Sequence, residues 1–393
     1  MNTPPLRSET ILFGKPSFSD EEVAAVTRVI RSGWVGMGPE TIAFENELAH
    51  YLGVPHVVSV NSCTSALFLA LLVAGVQEGD EVICPSLTWC ATANAALYLR
   101  AKVVFCDVDP DTLCLTPETV LPHITPRTRA LMAVHFGGRA VDVKALKARL
   151  PAQVQVVEDA AHAFGSRFSD GRRVGTSGSL TCFSFYANKN LSTGEGGTLA
   201  TPDDALAARL RSLRQNALPN DAWKRYLQPQ ATYLSFELKE LGYKMNYTDL
   251  QACLGRVQLQ RFEALQTHRQ NLVRHYRRRL AGLGPRIAWQ SDVESDDHAR
   301  HLLCIQLMDG CPLSRNELYL ALRERKIGAS IHYAPLHQMP LYQHPAESVL
   351  PNTDDVVRRI LTLPISASLS VDEVDYVCDH VLLLLGKAMR GGG

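Results

Sequence analysis

The chain has 393 residues, room for a large domain with a smaller one attached at roughly 100 to 200 residues per domain. Forty basic and forty acidic side chains cancel to a formal net charge of zero with no long run of one sign, which argues against a general nucleic-acid binder or a partner of anionic membranes. Ten cysteines without a CxxC pair, several inside apolar runs such as EVIC and VVFC, exclude a zinc-ribbon or disulfide framework and are expected to be small buried hydrophobes in a reducing compartment.

The N-terminal MNTPPLRSETILFGKP carries three prolines and an acid where a secretory signal needs an unbroken apolar core. No apolar run reaches the roughly 18 residues of a membrane span, so a cytoplasmic protein is expected. Ser19-Asp-Glu-Glu opens a helix with a hydroxyl cap and acids in its first turn, and Val23, Val26, Val29 and Ile30 follow at helical spacing. SGWVGMGPET (Ser32 to Thr41) ends that helix; its glycines follow no strand, so it reads as a flexible connector. The strand VVSV then runs into Asn61-Ser-Cys-Thr-Ser65 and an apolar helix. A small polar turn between strand and helix leaves backbone N–H groups and the positive end of the helix dipole open to an anion, which makes Ser62, Cys63 and Thr64 a candidate phosphate cradle.

EVICP is the next strand, and Trp89 follows just beyond its end at the start of a helix, where its ring could stack on a flat heterocycle or pack into a core. Asp107, Asp109 and Asp111 cluster after the strand KVVFC, but they lack the glycine and terminal glutamate of a calcium loop and read as a turn. ALMAVHFGG and VQVVEDAAH are two further apolar strands separated by the helical VDVKALKARL. Strands alternating with helices at this interval imply an α/β fold with a mostly parallel sheet, whose ligands collect at the C-terminal ends of the strands.

Two of those ends carry the chemistry. Asp159 closes VQVVED, and Lys189, 30 residues further on, follows the apolar run Leu180 to Tyr186 and precedes a turn of Ser192, Thr193, Gly194, Gly196 and Gly197. A lysine amine in a desolvated site loses its proton and becomes a nucleophile toward an aldehyde, while an acid beside a pyridine nitrogen keeps that ring protonated; together they suit pyridoxal 5′-phosphate (PLP). Separately, Lys189 is also readable as a solvated loop residue and Asp159 as an ordinary turn cap. His162, three residues past Asp159, is placed to share a helical face with it and orient the carboxylate, or to be a satisfied structural histidine.

Asp204 to Arg214 reads as a helix, and Gln215 to Glu240 as irregular and polar. Thr248 is the expected cap of a long helix whose apolar positions are Leu250, Leu254, Val257, Leu259, Phe262 and Leu265. Beyond it a smaller α+β unit contains the strand HLLCIQL, the capped helix SRNELYLALRERKI and the closing helix VDEVDYVCDHVLLLL. His332 and His337 lie between them in a proline-broken loop without a third residue spaced to complete a metal site. The terminal GGG is expected to be a mobile tail.

EDAAHAFG, FSFYANKNLSTGEGG and GYKMNYTDLQACLG, in this order, resemble the DegT/StrS family of PLP-dependent sugar aminotransferases, and the resemblance runs from about Gly14 to Tyr342. It implies PLP fold type I, with a large cofactor domain over residues 14–250 and a linking helix and small domain over 251–390. It further implies that Lys189 holds PLP, that Asp159 faces the ring nitrogen, that Trp89 stacks on the ring and that Ser184 binds the phosphate. Asn246, with Lys244 as the alternative, is carried over as the contact to the phosphate of the other subunit in a homodimer, and the loop Ser32 to Thr41 as a neighbour of the partner's active site. His332 and His337 are carried over as substrate contacts. The implied reaction moves an amino group from an amino acid, glutamate being the expected donor, through pyridoxamine phosphate to a nucleotide-linked keto-sugar. KNLST followed by GEGG leans toward amination at carbon 4. Family members that are sugar dehydratases carry histidine in place of the lysine, so Lys189 speaks against a lyase; a non-catalytic regulator that only binds cofactor or sugar is the other alternative.

Overall fold

A computed structural model of the chain describes residues 5–218, 238–342 and 349–386. Most of the stretch expected to be irregular, residues 219–237, and the three terminal glycines lie outside the described residues. Local rules account for the first helix, α1 (Asp20–Ser32): Ser19 and Glu22 form a reciprocal capping box, with Ser19 N–H donating to the Glu22 carboxylate at 2.7 Å. The stripe it buries is Glu22, Ala25 and Val29, while Val23 and Ile30 are exposed. Helical spacing announced the helix without deciding which side faces the core.

The segment read as a flexible connector is instead tied down. The buried carboxylate of Asp249 accepts the N–H groups of Gly38 (2.8 Å), Glu40 (3.2 Å) and Thr41 (2.9 Å) and the Thr41 hydroxyl (2.7 Å). It thereby caps a helix the sequence reading did not foresee, α2 (Pro39–Leu52), from more than two hundred residues away.

The large layer follows as β1 (His56–Val60), α3 (Cys63–Val73), β2 (Glu81–Pro85), α4 (Cys90–Leu97), β3 (Lys102–Cys106), the single turn α5 (Pro117–Val120), β4 (Thr128–Val134), α6 (Val143–Arg149), β5 (Gln155–Asp159), β6 (Leu180–Ser184), β7 (Gly197–Thr201) and α7 (Asp204–Leu213). These strands form one seven-stranded sheet in the order β1-β7-β6-β5-β4-β2-β3. All pairs from β6 through β3 are parallel, and β7 runs antiparallel to both of its neighbours. The mostly parallel α/β architecture is therefore as expected, and the antiparallel β7 is the return limb of the glycine turn. Apolar residues of α3 and α4 cover one face of the sheet in a continuous core with Val82, Met132, Val157 and Leu199.

Thr248 and Gln251 cap the long helix α8 (Asp249–Leu280) as expected, but its buried face is not the leucine stripe. Of the six apolar positions named above only Phe262 is buried; the rest of the buried face includes Ala252, Gly255, Gln258, Gln266 and Arg269. Small and polar residues are buried there because α8 packs closely on other elements and offers hydrogen bonds to their carbonyls. At Gly255 a side-chain carbon would stand 2.5 Å from the Phe44 ring. The remaining elements are β8 (Ile287–Trp289), β9 (Leu303–Leu307), α9 (Arg315–Glu324), α10 (Pro351–Arg359), β10 (Ile360–Leu363) and α11 (Val371–Leu385). The three strands make an antiparallel sheet in the order β10-β9-β8, and α11 shares a core with the last turns of α8 through Val273, Tyr276, Val377 and Val381. The ten cysteines are all unpaired and eight are buried. No helix among the described residues is long and apolar enough to cross a membrane.

Candidate active site

The carboxyl ends of β1, β2, β5 and β6 open into a cavity of about 470 Å³. Ser62, Cys63 and Thr64 line one wall, Thr88, Trp89 and Thr92 another, with Asp159 at the end of β5 and His162 beyond it, Ser184 at the end of β6 and Lys189 beyond it, and His332 and Tyr333 arriving from the C-terminal part of the chain. The turn that presents Lys189 is held by its own backbone: Phe185 N–H donates to Gly196 O, Thr193 N–H to Phe185 O and Lys189 N–H to Tyr186 O, each at 2.9 Å. Glycine is required at its base. A side-chain carbon on Gly197 would come within 2.5 Å of Cys63 N, and Gly196, at φ +153°, faces the Tyr247 ring. The turn thus lies directly against the start of α3, bringing the lysine loop and the candidate phosphate cradle into one site.

Burial lowers the Lys189 amine to about 8, against the opposing pull of the Asp159 carboxylate, so about a tenth of it is neutral at pH 7 and about half at pH 8. Burial also pushes the Cys63 thiol well above its usual range, leaving it protonated. Asp159 is buried, with one oxygen accepting the Thr92 hydroxyl at 2.7 Å and the other the Ala161 N–H at 3.1 Å. Thr88 backs Thr92 at 2.9 Å.

Of the two expectations for His162, the satisfied structural histidine holds and the shared helical face does not. Residues 160–164 form no helix that could align it with Asp159. Its Nδ1 accepts the Gly137 N–H at 3.4 Å and its Nε2 lies 2.9 Å from the Tyr333 hydroxyl, so Thr92, a threonine four residues after Thr88, orients the carboxylate instead. Thr88 lies before the N-cap Trp89 and Thr92 in the first turn of α4, so their contact is one between a helix and the residue leading into it. His301 was not foreseen: its Nε2 lies 3.4 Å from Lys189 Nζ, and its ring is 4.6 Å from His162. Nothing near His301 in sequence signals this contact.

Trp89 lines the cavity mouth, 60% exposed and 5.8 Å from the Tyr333 ring. His332 lines the cavity with Nδ1 paired to the Thr362 hydroxyl at 2.9 Å, and burial, aided by Lys189, lowers it to about 3. His337 does not line the cavity; it is held by Ser86 at 2.7 Å and Asp354 at 3.3 Å. Asn246 is outside the cavity lining too, with its amide on Tyr247 O at 3.2 Å and its backbone bridged to Val60, and Lys244 is bridged to Gln215.

The sequence profile of the DegT/DnrJ/EryC1/StrS aminotransferases matches residues 16–382. The chain belongs to this family. As a DegT/DnrJ/EryC1/StrS aminotransferase it is a PLP-dependent enzyme of fold type I. It is 39% identical to the spore coat polysaccharide biosynthesis protein SpsC of Bacillus subtilis strain 168 over 95% of this chain and 97% of that protein. Among solved structures, the aminotransferase TlmJ of Streptoalloteichus hindustanus superposes with a TM-score of 0.86 at 33% identity, covering 96% of this chain and 99% of that one. The sugar aminotransferase CalS13 of Micromonospora echinospora gives 0.83 at 28% identity over 94% and 99% of the two chains. The cavity suits the family's cofactor chemically: an amine for an aldehyde, a carboxylate for a ring nitrogen, and a helix N-terminus flanked by the serine hydroxyls of Ser62 and Ser184 for a phosphate.

Proposed function

We propose that this aminotransferase transfers the amino group of an amino acid, glutamate in the first instance, to carbon 4 of a nucleotide-linked keto-sugar, acting as a homodimer in the cytoplasm. The observation that carries the reading is the convergence of Lys189, Asp159 and the first turn of α3 on one cavity. PLP, when bound, supplies an aldehyde and an electron-accepting ring. Lys189 Nζ would hold the aldehyde carbon, and Asp159, oriented by Thr92 and Ala161, would pair with the ring nitrogen. The N–H groups of Cys63 and Thr64, with the Ser62 and Ser184 hydroxyls, would bind the phosphate, and Trp89 would cover one ring face. With its amine free, Lys189 Nζ would take the proton from the donor's α-carbon and would return one to the acceptor's carbon; an amine poised at about 8 suits both directions. His332 faces the same space and is the histidine we assign to substrate contact.

The names of SpsC and CalS13 support a sugar acceptor, and the GEGG turn after Lys189 supports carbon 4. Apolar side chains left exposed on and between α1 and α2, Val23, Ile30, Val35 and Ile42, support a second copy as partner, as does the exposure of Trp89 and Tyr186 beside the cavity. In such a dimer Asn246 would reach the partner's phosphate. Eight buried free cysteines support a reducing compartment.

The test is direct. Purified chain incubated with PLP and reduced with borohydride should carry the cofactor on Lys189 by peptide mass spectrometry. Glutamate should then bleach the unreduced enzyme, and one member of a nucleotide keto-sugar panel should return aminated at carbon 4 by NMR. Absence of label on Lys189 would overturn the assignment of the site; label with bleaching but a product aminated at carbon 3 would overturn only the regiochemistry.

A further inference from the structure

One carbonyl sets the direction of a hydrogen-bond chain that ends at the lysine. Ala299 O can only accept, and it receives Asn190 Nδ2 at 2.7 Å and Gln266 Nε2 at 2.9 Å. With its amide so turned, Asn190 presents Oδ1 to His301 Nδ1 at 3.2 Å, and Nδ1 must therefore carry the ring proton. His301 Nε2 is then bare, and it faces Lys189 Nζ at 3.4 Å as an acceptor.

The segment is rigidly built. Ala299 N–H donates to Gly138 O at 2.9 Å and Leu302 N–H to Gly137 O at 3.1 Å, while Arg269 reaches Arg300 O at 3.3 Å from α8. The Arg300 guanidinium, fully buried, donates to the carbonyls of Val293, Glu294, Ser295 and His298. These bonds fix the backbone on both sides of His301.

The geometry points to His301 as a positioning residue: locked in one tautomer by Asn190, it accepts an N–H of Lys189 and directs the rest of the amine toward the cavity. This rests on Lys189 being the reactive amine. Burial first, then the nearby Lys189, His162, Arg269 and His332, keep the imidazole neutral, so it accepts throughout the working range. The other titratable groups facing Lys189 are Cys63, Asp159, His162 and His332. An acceptor at Nζ favours the ammonium over the amine, so its loss should lower the lysine's titration midpoint further. It should also slow proton transfer through misalignment.

The experiment uses the full chain freed of cofactor. Competitive acetylation between about pH 6 and 10, read on the Lys189 peptide by mass spectrometry, gives the midpoint in wild type, His301→Phe, His301→Gln and Asn190→Leu. His301→Phe should shift it down by about one pH unit, and Asn190→Leu by less. His301→Gln, whose amide can offer an oxygen, should restore most of it; if the ring merely fills space, Phe would be the better substitute and Gln the worse. In the reloaded enzyme, kcat of the donor half-reaction should fall about tenfold or more in His301→Phe, with KM changed less than about threefold. A His301→Phe midpoint equal to wild type overturns the inference. If His301→Phe does not fold, an unshifted Asn190→Leu midpoint overturns it. Failure of borohydride to label Lys189 in wild type would instead overturn the proposed function, a separate readout on the same protein.

Discussion

Replacing Lys189 by Met should make the cofactor-free protein more stable. Burial lowers the amine from 10.5 to about 8, a depression of about 2.5 units. At about 1.36 kcal/mol per unit this corresponds to roughly 3 kcal/mol of destabilisation carried by the wild type wherever the lysine is charged in both states. The sign follows from the proton count. Below pH 8 both folded and unfolded chains hold the proton and the full penalty applies; between 8 and 10.5 the folded chain releases it first and the penalty fades. Urea or guanidinium unfolding of wild type and Lys189→Met at a series of pH values should therefore show a gap of about 3 kcal/mol below pH 8 that closes as pH approaches 10.5. Equal stabilities at pH 7, or a gap that does not change with pH, would refute the claim that desolvation activates this amine.

Gly197→Ala should lose both stability and cofactor, because its Cβ would meet the backbone of Ser62 and Cys63 at 2.5 to 2.7 Å, where no side chain can swing aside. We expect a destabilisation of about 1–3 kcal/mol or more and a PLP dissociation constant raised at least about tenfold, while Gly194→Ala, with open space around it but φ +80°, costs only about 1 kcal/mol and leaves PLP binding unchanged. Thr92→Val removes the donor to Asp159 and strands Thr88; a drop of about tenfold to a hundredfold in kcat is expected, and steady-state rates within twofold of wild type would exclude the role. Acid should weaken the fold already between about pH 6.5 and 5. His298 and His332 are each lowered to about 3, mainly by burial, so the unfolded chain binds protons first as pH falls below about 6.5 and each histidine removes about 2 kcal/mol by pH 5. A denaturation midpoint constant from pH 7 to 5 would contradict this.

The parts of the site readable in sequence are those set by consecutive residues. A β-strand that closes on Asp159, a polar turn that opens α3 and a hydroxyl cap at Ser19 or Thr248 are local events governed by backbone geometry and neighbouring side chains, and all appear where expected, whereas the strand expected over Leu180 to Tyr186 stops at Ser184. Of the two readings of His162, the shared helical face failed because a three-residue offset aligns side chains only on a helix and the chain after β5 turns instead, leaving the satisfied structural histidine. The buried face of α8 was misread for a related reason: apolar spacing tells which residues tolerate burial, whereas close packing selected Ala252 and Gly255, and distant carbonyls selected Gln266 and Arg269. The strands β8 and β10, of three and four residues, carry too few residues for any periodicity to register.

By itself, the order of residues determined that strands would alternate with helices and that an amine and a carboxylate would stand at the ends of two of those strands, because strand direction and crossover handedness follow from the chain's own chirality. Only the tertiary structure decided what surrounds them. Asp249 caps a helix it never meets in sequence, Thr92 orients Asp159 and His301 reaches Lys189, because each of these contacts needs two backbones brought to within a few ångströms by packing that no single segment encodes.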